Sequence, residues 1–300
     1  GDMSGDVFGN GMLLSESLRL VAAFDHRHVF LDPDPDPQDS FNERQRLADL
    51  DRSSWADYDE SLLSAGGGIY ARDLKTIPIS DEVRTRLGLP PSVTTLTPNE
   101  VVQSILLAPV DLLWNGGIGT YVKAATESNV EVGDKANDAV RVNGRDLRCR
   151  VVGEGGNLGL TQAGRIEAAR SGVQLNTDAI DNSAGVDCSD HEVNIKVLLD
   201  TVVADGDLTT KQRNELLGAM TDDVSDHVLL DNYLQNQVLG YARAQAPALL
   251  PVHQRMMHSL EERGILDRQL EVLPSDHEIS ELIADGRGLS SPELCVLLSY

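Results

Sequence analysis

The chain has 300 residues, a net charge of −23, 41% hydrophobic residues and only 4% aromatic ones. Such acidity excludes nucleic acid or an anionic membrane as the main partner, because phosphate surfaces are bound through basic patches. The length suits one large or two ordinary domains, with a core built mainly from Leu, Val, Ile and Ala, and no apolar run reaches the length of a membrane span.

Gly1-Asp2-Met3-Ser4-Gly5 leads into a helix expected over residues 6–17, then a strand over residues 18–24 that ends on Asp25. Glycines let a backbone approach a pyrophosphate, and a helix N-terminus offers it free N–H groups. An acid closing the second strand can accept hydrogen bonds from a ribose diol. Gly5 and Asp25 are 20 residues apart, the separation of a fingerprint glycine from its ribose acid. Met3, Ser4, Gly5 and Asp25 are therefore cofactor candidates. No strand precedes the glycine loop, so the expected sheet lacks its first strand, the central one in a doubly wound order.

Asp32-Pro33-Asp34-Pro35-Asp36-Pro37 reads as a stiff, exposed acidic loop, since alternating prolines forbid helix and sheet interior. Thr97-Pro98-Asn99-Glu100 has the N-cap, N1 and N3 residues of a helix start. A buried strand over 110–114 breaks at Gly116-Gly117, and one over 147–152 closes on Gly153-Glu154-Gly155-Gly156-Asn157. Helix 162–171, a C-cap at Gly172 and strand 173–175 follow. This alternation predicts an α/β fold over residues 1–200: a doubly wound, mostly parallel Rossmann-like sheet with its first strand missing. Strand signals then vanish. Residues 201–300 are expected to be helical, with Leu229, Leu230, Tyr233, Leu234, Val238 and Tyr241 at helical spacing. Ser275-Asp276-His277-Glu278 forms a capping box, Ser291 is the expected cap of a last helix with Pro292 at N1, and that helix is expected to continue past Tyr300.

Ligands of open α/β sheets sit at the carboxyl ends of the strands. That singles out Asn115 and Gly116 after one strand and Asn157 after the next, although a tight turn with positive φ at Gly116 or Gly117 explains those glycines equally well. After the third strand, Asn182 and Ser189 are polar candidates, and Ser189-Asp190-His191-Glu192 is also a capping box. His26 and His28 flank Arg27 and read as a solvated cluster beside the acidic loop. Cys149, Cys188 and Cys295 lack metal-site spacing and read as reduced thiols of a cytoplasmic protein. No catalytic triad and no metal constellation stands out, so neither role is assigned. Spacing alone leaves adenosyl-methionine as an alternative cofactor, and a non-catalytic acidic interaction module on a Rossmann scaffold as an alternative function.

Several stretches together resemble the large bacterial NAD-specific glutamate dehydrogenases: Gly1 to Met12, Ala22-Ala23-Phe24-Asp25-His26-Arg27-His28, Asp111 to Lys123, Gly153 to Asn157, and Asp178 to Ser189. The resemblance implies NAD as cofactor, glutamate and 2-oxoglutarate as substrates, and a homo-oligomeric full-length enzyme. It places Asn157 near the nicotinamide, in a turn similar to the Glu-Gly-Ala-Asn of the smaller glutamate dehydrogenases. It places Asn182 and Ser189 in a segment similar to their Asn-Ala-Gly-Gly-Val and substrate-contacting serine. It also implies that the catalytic lysine lies elsewhere: none of Lys75, Lys123, Lys135, Lys196 and Lys211 has a Gly-Gly-x-Lys-Gly setting. The chain is thus expected to be a cofactor domain with the start of a helical region, and to be inactive alone.

Overall fold

The computed structural model describes residues 11–300, so Met3, Ser4 and Gly5 lie outside the described residues. The chain divides into two compact units, Gly1–Asn176 and Thr177–Tyr300. The boundary expected at residue 200 falls inside a helix of the second unit, Ser183–Ala204.

The first unit is mixed α/β. Strands β1 (Ala22–Phe24) and β2 (His28–Leu31) form an antiparallel hairpin, and β3 (Gly68–Ala71) pairs with β2. The strand expected over 18–24 is thus shorter, and it turns back instead of feeding a parallel crossover. Asp25 causes the turn: its Oδ1 accepts the backbone N–H groups of Arg27 at 2.7 Å and His28 at 2.6 Å. Of the helix expected over 6–17, the described part is a single 3₁₀ turn, Gly11–Leu13. Alternation along the hairpin sends side chains to two cores. Ala23 and Phe30 pack with Trp55 and Tyr58, whereas Val29 and Leu31 join Ile77, Val101, Val122 and Val152 in the main core.

The acidic loop is less exposed than its composition suggests. Asp32, Pro33 and Pro35 are buried, and Asp32 accepts hydrogen bonds from the N–H and hydroxyl of Ser64. Asp36 caps helix α1 (Pro37–Ala48), accepting from the N–H groups of Gln38 and Asp39, with Pro37 at N1. The small pair β4 (Ile77–Pro78) and β5 (Thr95–Leu96) brackets helix α2 (Asp81–Leu87). Helix α3 (Pro98–Leu106) starts on the Thr97/Glu100 capping box read from the sequence and buries Val101, Val102, Ile105 and Leu106.

Strand β6 (Leu112–Asn115) follows, then β7 (Val122–Lys123), a short helix α4 (Asn129–Val132), β8 (Val142–Asn143) and β9 (Val151–Glu154). Pairs β6–β9 and β7–β8 are parallel. After α5 (Gln162–Arg170), Gln174 makes a parallel bridge to Val151, where a strand over 173–175 was expected. The described strands therefore fall into four small sheets, with β1 and β6 each at a sheet edge.

The second unit is helical: α6 (Asp178–Asp181), α7 (Ser183–Ala204), α8 (Thr210–Ala219), α9 (Thr221–Glu262), α10 (Asp276–Ala284) and α11 (Ser291–Leu298). Its core gathers Leu239, Leu250, Met257, Ile279 and Leu294. Two expectations change. Ser189 lies inside α7 and does not cap it: the helix has already begun at Ser183, whose hydroxyl bonds Asn232 and Gln235 of α9. Ser290 with Glu293 forms the capping box of α11, one residue before the expected Ser291, which places Pro292 at N2. The apolar residues at helical spacing on α9, from Leu229 to Tyr241, are indeed helical but remain exposed.

Asp276 clasps α10 to α9. It accepts from Gln254 at 3.1 Å, His258 at 2.9 Å and Arg268 at 2.9 Å, and those hydrogen bonds hold its carboxyl well below the usual carboxylate range. A group whose folded pKa is lowered contributes stability above the unfolded pKa and loses it as pH falls through the folded value. Asp276→Asn should therefore lower the melting temperature at pH 7, by an amount that narrows below about pH 4. A pH-independent difference between the two proteins in thermal melts from pH 7 to pH 3 would contradict the clasp.

Candidate functional site

Strands β6 and β9 pair in register from Leu112↔Val151 to Asn115↔Glu154, so their carboxyl ends and the turns that follow lie side by side. The glycines there serve close approach. A Cβ on Gly153 or Gly155 would meet the Trp114 ring at 2.7 and 2.4 Å, and one on Gly156 would meet the Gly117 carbonyl oxygen at 2.5 Å. A Cβ on Gly159 would fall 1.5 Å from Asn115 Nδ2. Positive φ explains neither Gly116 nor Gly117; the residue of this turn that adopts it is Gly119, at 122°. The two loops nest, and Gly156 N–H donates to the Asn115 carbonyl at 3.0 Å.

Beneath this edge lies a buried ion pair. Glu154 and Arg165 are 1% and 4% exposed. Arg165 Nε donates to Glu154 Oε2 at 2.7 Å, and Nη2 donates to Oε1 at 3.0 Å. Oε1 also accepts the Leu160 N–H at 3.1 Å. The bidentate fork and the extra amide offset the cost of taking both charges out of water. The pair ties the end of β9, the returning loop and α5 into one piece. Sequence reading noted Glu154 only as part of a turn and missed Arg165, because no local spacing rule joins residues that meet across a loop.

Asn115, Gly116 and Asn157 are thereby brought onto one sheet edge. Asn115 is half-buried, and Asn157 is exposed on the loop after β9. The Asn115 side-chain oxygen faces the Gly117 N–H at 3.5 Å, and its Nδ2 is buried with no hydrogen-bond partner among the described residues. An unspent buried donor is costly, at about 1–3 kcal/mol. Asp25 lies in the β1–β2 turn and is 1% exposed. Its Oδ1 is committed to the turn, while its Oδ2 is buried without a partner among the described residues. Asn182 and Ser189 belong to the second unit, Asn182 at the junction of α6 and α7 and Ser189 exposed two helical turns further on.

The helical unit holds one cluster that the sequence did not show. Asp187 and His191 on α7 and Asp231 on α9 each bring a ligand-capable atom within 4.8 Å of the others. Asp187 and His191 are one helical turn apart, but Asp231 lies 40 residues beyond His191, too far for a motif to join it to them. Burial pushes the Cys149 thiol up to about 11 and raises that of Cys295, so neither is an activated nucleophile. No helix among the described residues is long and apolar enough to cross a membrane.

The profile of the family described as "Bacterial NAD-glutamate dehydrogenase, catalytic domain" matches residues 1–242. The chain belongs to this family. Over its whole length it is 57% identical to an NAD-specific glutamate dehydrogenase of Halomonas elongata, 58% to one of Pseudomonas aeruginosa and 56% to one of Mycobacterium tuberculosis. It spans 18%, 18% and 19% of the length of those relatives.

Two outcomes follow from this geometry. Arg165→Met should cost about 3–5 kcal/mol in denaturant unfolding, because it strands the Glu154 carboxylate in the interior. A loss under about 1 kcal/mol would show that the pair does not hold the loop. In a thiol titration of the folded protein, half-buried Cys188 should react first, with Cys149 and Cys295 reacting only on unfolding. Rapid modification of all three thiols would contradict the packing described.

Proposed function

We propose that the α/β unit is the nucleotide-binding part of an NAD-dependent glutamate dehydrogenase, which interconverts L-glutamate with 2-oxoglutarate and ammonia. The observation that carries this reading is the juxtaposition of Asn115, Gly116 and Asn157 at the carboxyl edge of two parallel strands, with the Asn115 amide donor unspent. Asn115 and Asn157 would face the nicotinamide end of NAD. Asp25, with an unspent Oδ2, would accept from the adenosine ribose, and the glycine turn with Met3, Ser4 and Gly5 would carry the pyrophosphate. Asn182 and Ser189 would contact the substrate. NAD, when bound, supplies the hydride chemistry; this part of the protein binds and orients it.

The names of three relatives, each an NAD-specific glutamate dehydrogenase, favour NAD over adenosyl-methionine and favour an enzyme over an acidic scaffold. The unpaired thiols suit a cytoplasmic setting. Homo-oligomerisation of the longer enzyme rests on the family resemblance.

The acid at residue 25 would repel a 2′-phosphate, which gives NAD over NADP. Asp25→Asn separates this role from the hairpin, because the amide keeps Oδ1 as acceptor for Arg27 and His28 and removes only the charge. Titrated in a polypeptide of the relatives' full length, the variant should bind NAD more weakly and NADP relatively better. An unchanged ratio of the two affinities would sink the assignment. The 300-residue chain, given NAD and glutamate, should form no NADH, since none of its lysines has the setting of the family's base. Turnover by the purified chain would show that the base had been misplaced.

A further inference from the structure

Helices α7 and α9 face each other through polar layers one turn apart. Ser183 bonds Asn232 and Gln235, Asp187 meets Asp231, and His191 stacks on His227 with ring centroids 6.2 Å apart. Numbers rise along α7 as they fall along α9, so the two helices run antiparallel. Packed helices normally fill such facing positions with apolar ridges. Here they hold two carboxylates and two imidazoles, in a chain whose net charge is −23.

The two carboxylates are not balanced. Asp187 Oδ1 lies 3.4 Å from His191 Nε2, and Asp187 Oδ2 is buried with no hydrogen-bond partner among the described residues. Neither Asp187 nor Asp231 pairs with a lysine or arginine among the described residues. One imidazole carries at most one positive charge, so a protonated His191 leaves one carboxylate unmet, whereas a divalent cation meets both. The spacing suits such an ion. Ligands on tetrahedral zinc, with bonds of about 2.0–2.2 Å, lie about 3.4 Å apart. Asp187 and His191 already stand at that separation, and Asp231 brings an oxygen within 4.8 Å of both. Two ligands one turn apart on one helix face are the arrangement by which a single helix grips a metal from one side. Imidazole nitrogen beside carboxylate oxygen selects zinc or a similar first-row ion over calcium and magnesium, which take oxygen ligands.

We propose that Asp187, His191 and Asp231 form a zinc site that ties α7 to α9. Asp231 is exposed and the other two ligands are half-buried, so the fourth position of the ion is open to solvent. The ion cross-links two helices and cancels the repulsion between their carboxylates; no catalytic step is assigned to it. The site lies on the helix that carries Ser189, yet its assignment uses no feature of the nucleotide edge and stands apart from the dehydrogenase reading.

Calorimetric titration of the metal-free 300-residue chain with zinc chloride tests the site. Zinc should bind and raise the melting temperature. His191→Gln and Asp231→Asn should each weaken binding at least about tenfold, since losing even an outer partner of a metal ligand costs that much. Cys188→Ser should bind as the unmutated chain does, although the thiol adjoins Asp187 in sequence, and cobalt in place of zinc should show no thiolate charge-transfer absorption. No zinc uptake, uptake that survives both ligand substitutions, or uptake that depends on Cys188 would overturn the proposal. Melting without metal gives an independent reading. There Asp231→Asn should leave the melting temperature unchanged or raise it, because it removes a contact between like charges. A fall would show that Asp231 serves as an ion-pair partner of His191 and not as a ligand.

Discussion

The arrangement of the α/β unit turns on the parallel pairing of β6 and β9. Parallel strands in register place their carboxyl ends together, and here both ends run into glycine turns that could not otherwise share the space. The missing Cβ atoms let Trp114 lie over Gly153 and Gly155 and let Gly156 press against Gly117. The buried Glu154–Arg165 pair then fixes the returning loop to α5 from below. Packing and electrostatics thus act on the same few residues, and Asn115 Nδ2, buried against Gly159 at the carboxyl end of β6, is left without a partner among the described residues.

Asp25 shows how one side chain can serve fold and site at once. One carboxylate oxygen closes the β1–β2 turn, which sends Phe30 into the aromatic cluster with Trp55 and Tyr58 and Val29 into the main core. The other oxygen has no described partner. A ribose contact would draw on an acceptor that the fold has already positioned, and would have to uncover it, since Asp25 is 1% exposed.

Local chemistry was legible in the sequence, and tertiary chemistry was not. The Thr97 and Ser275 capping boxes stand as read, because a cap depends on four consecutive residues. Asn115, Gly116 and Asn157 could be singled out because strand-end glycines leave a pattern. Ser189 misled for the opposite reason: its box is locally sound, but the helix begins seven residues earlier, with Asn182 at the N-cap position and Ser183 bonded to α9. The acidic loop misled through composition, since Asp32 is paid for by Ser64, which lies far along the chain. Arg165 left no local signal at all. The exposed apolar stripe on α9 has the right period, yet period alone does not say whether a face is covered within these 300 residues.

The central claim is that NAD lies along the turns after β6 and β9. Hydrogen exchange of the longer polypeptide with and without saturating NAD tests it most directly. The account predicts slower exchange confined, within this chain, to residues 3–5, 115–117, 155–159 and the Asp25 turn. Calorimetric binding of NAD with no change at these positions would contradict it.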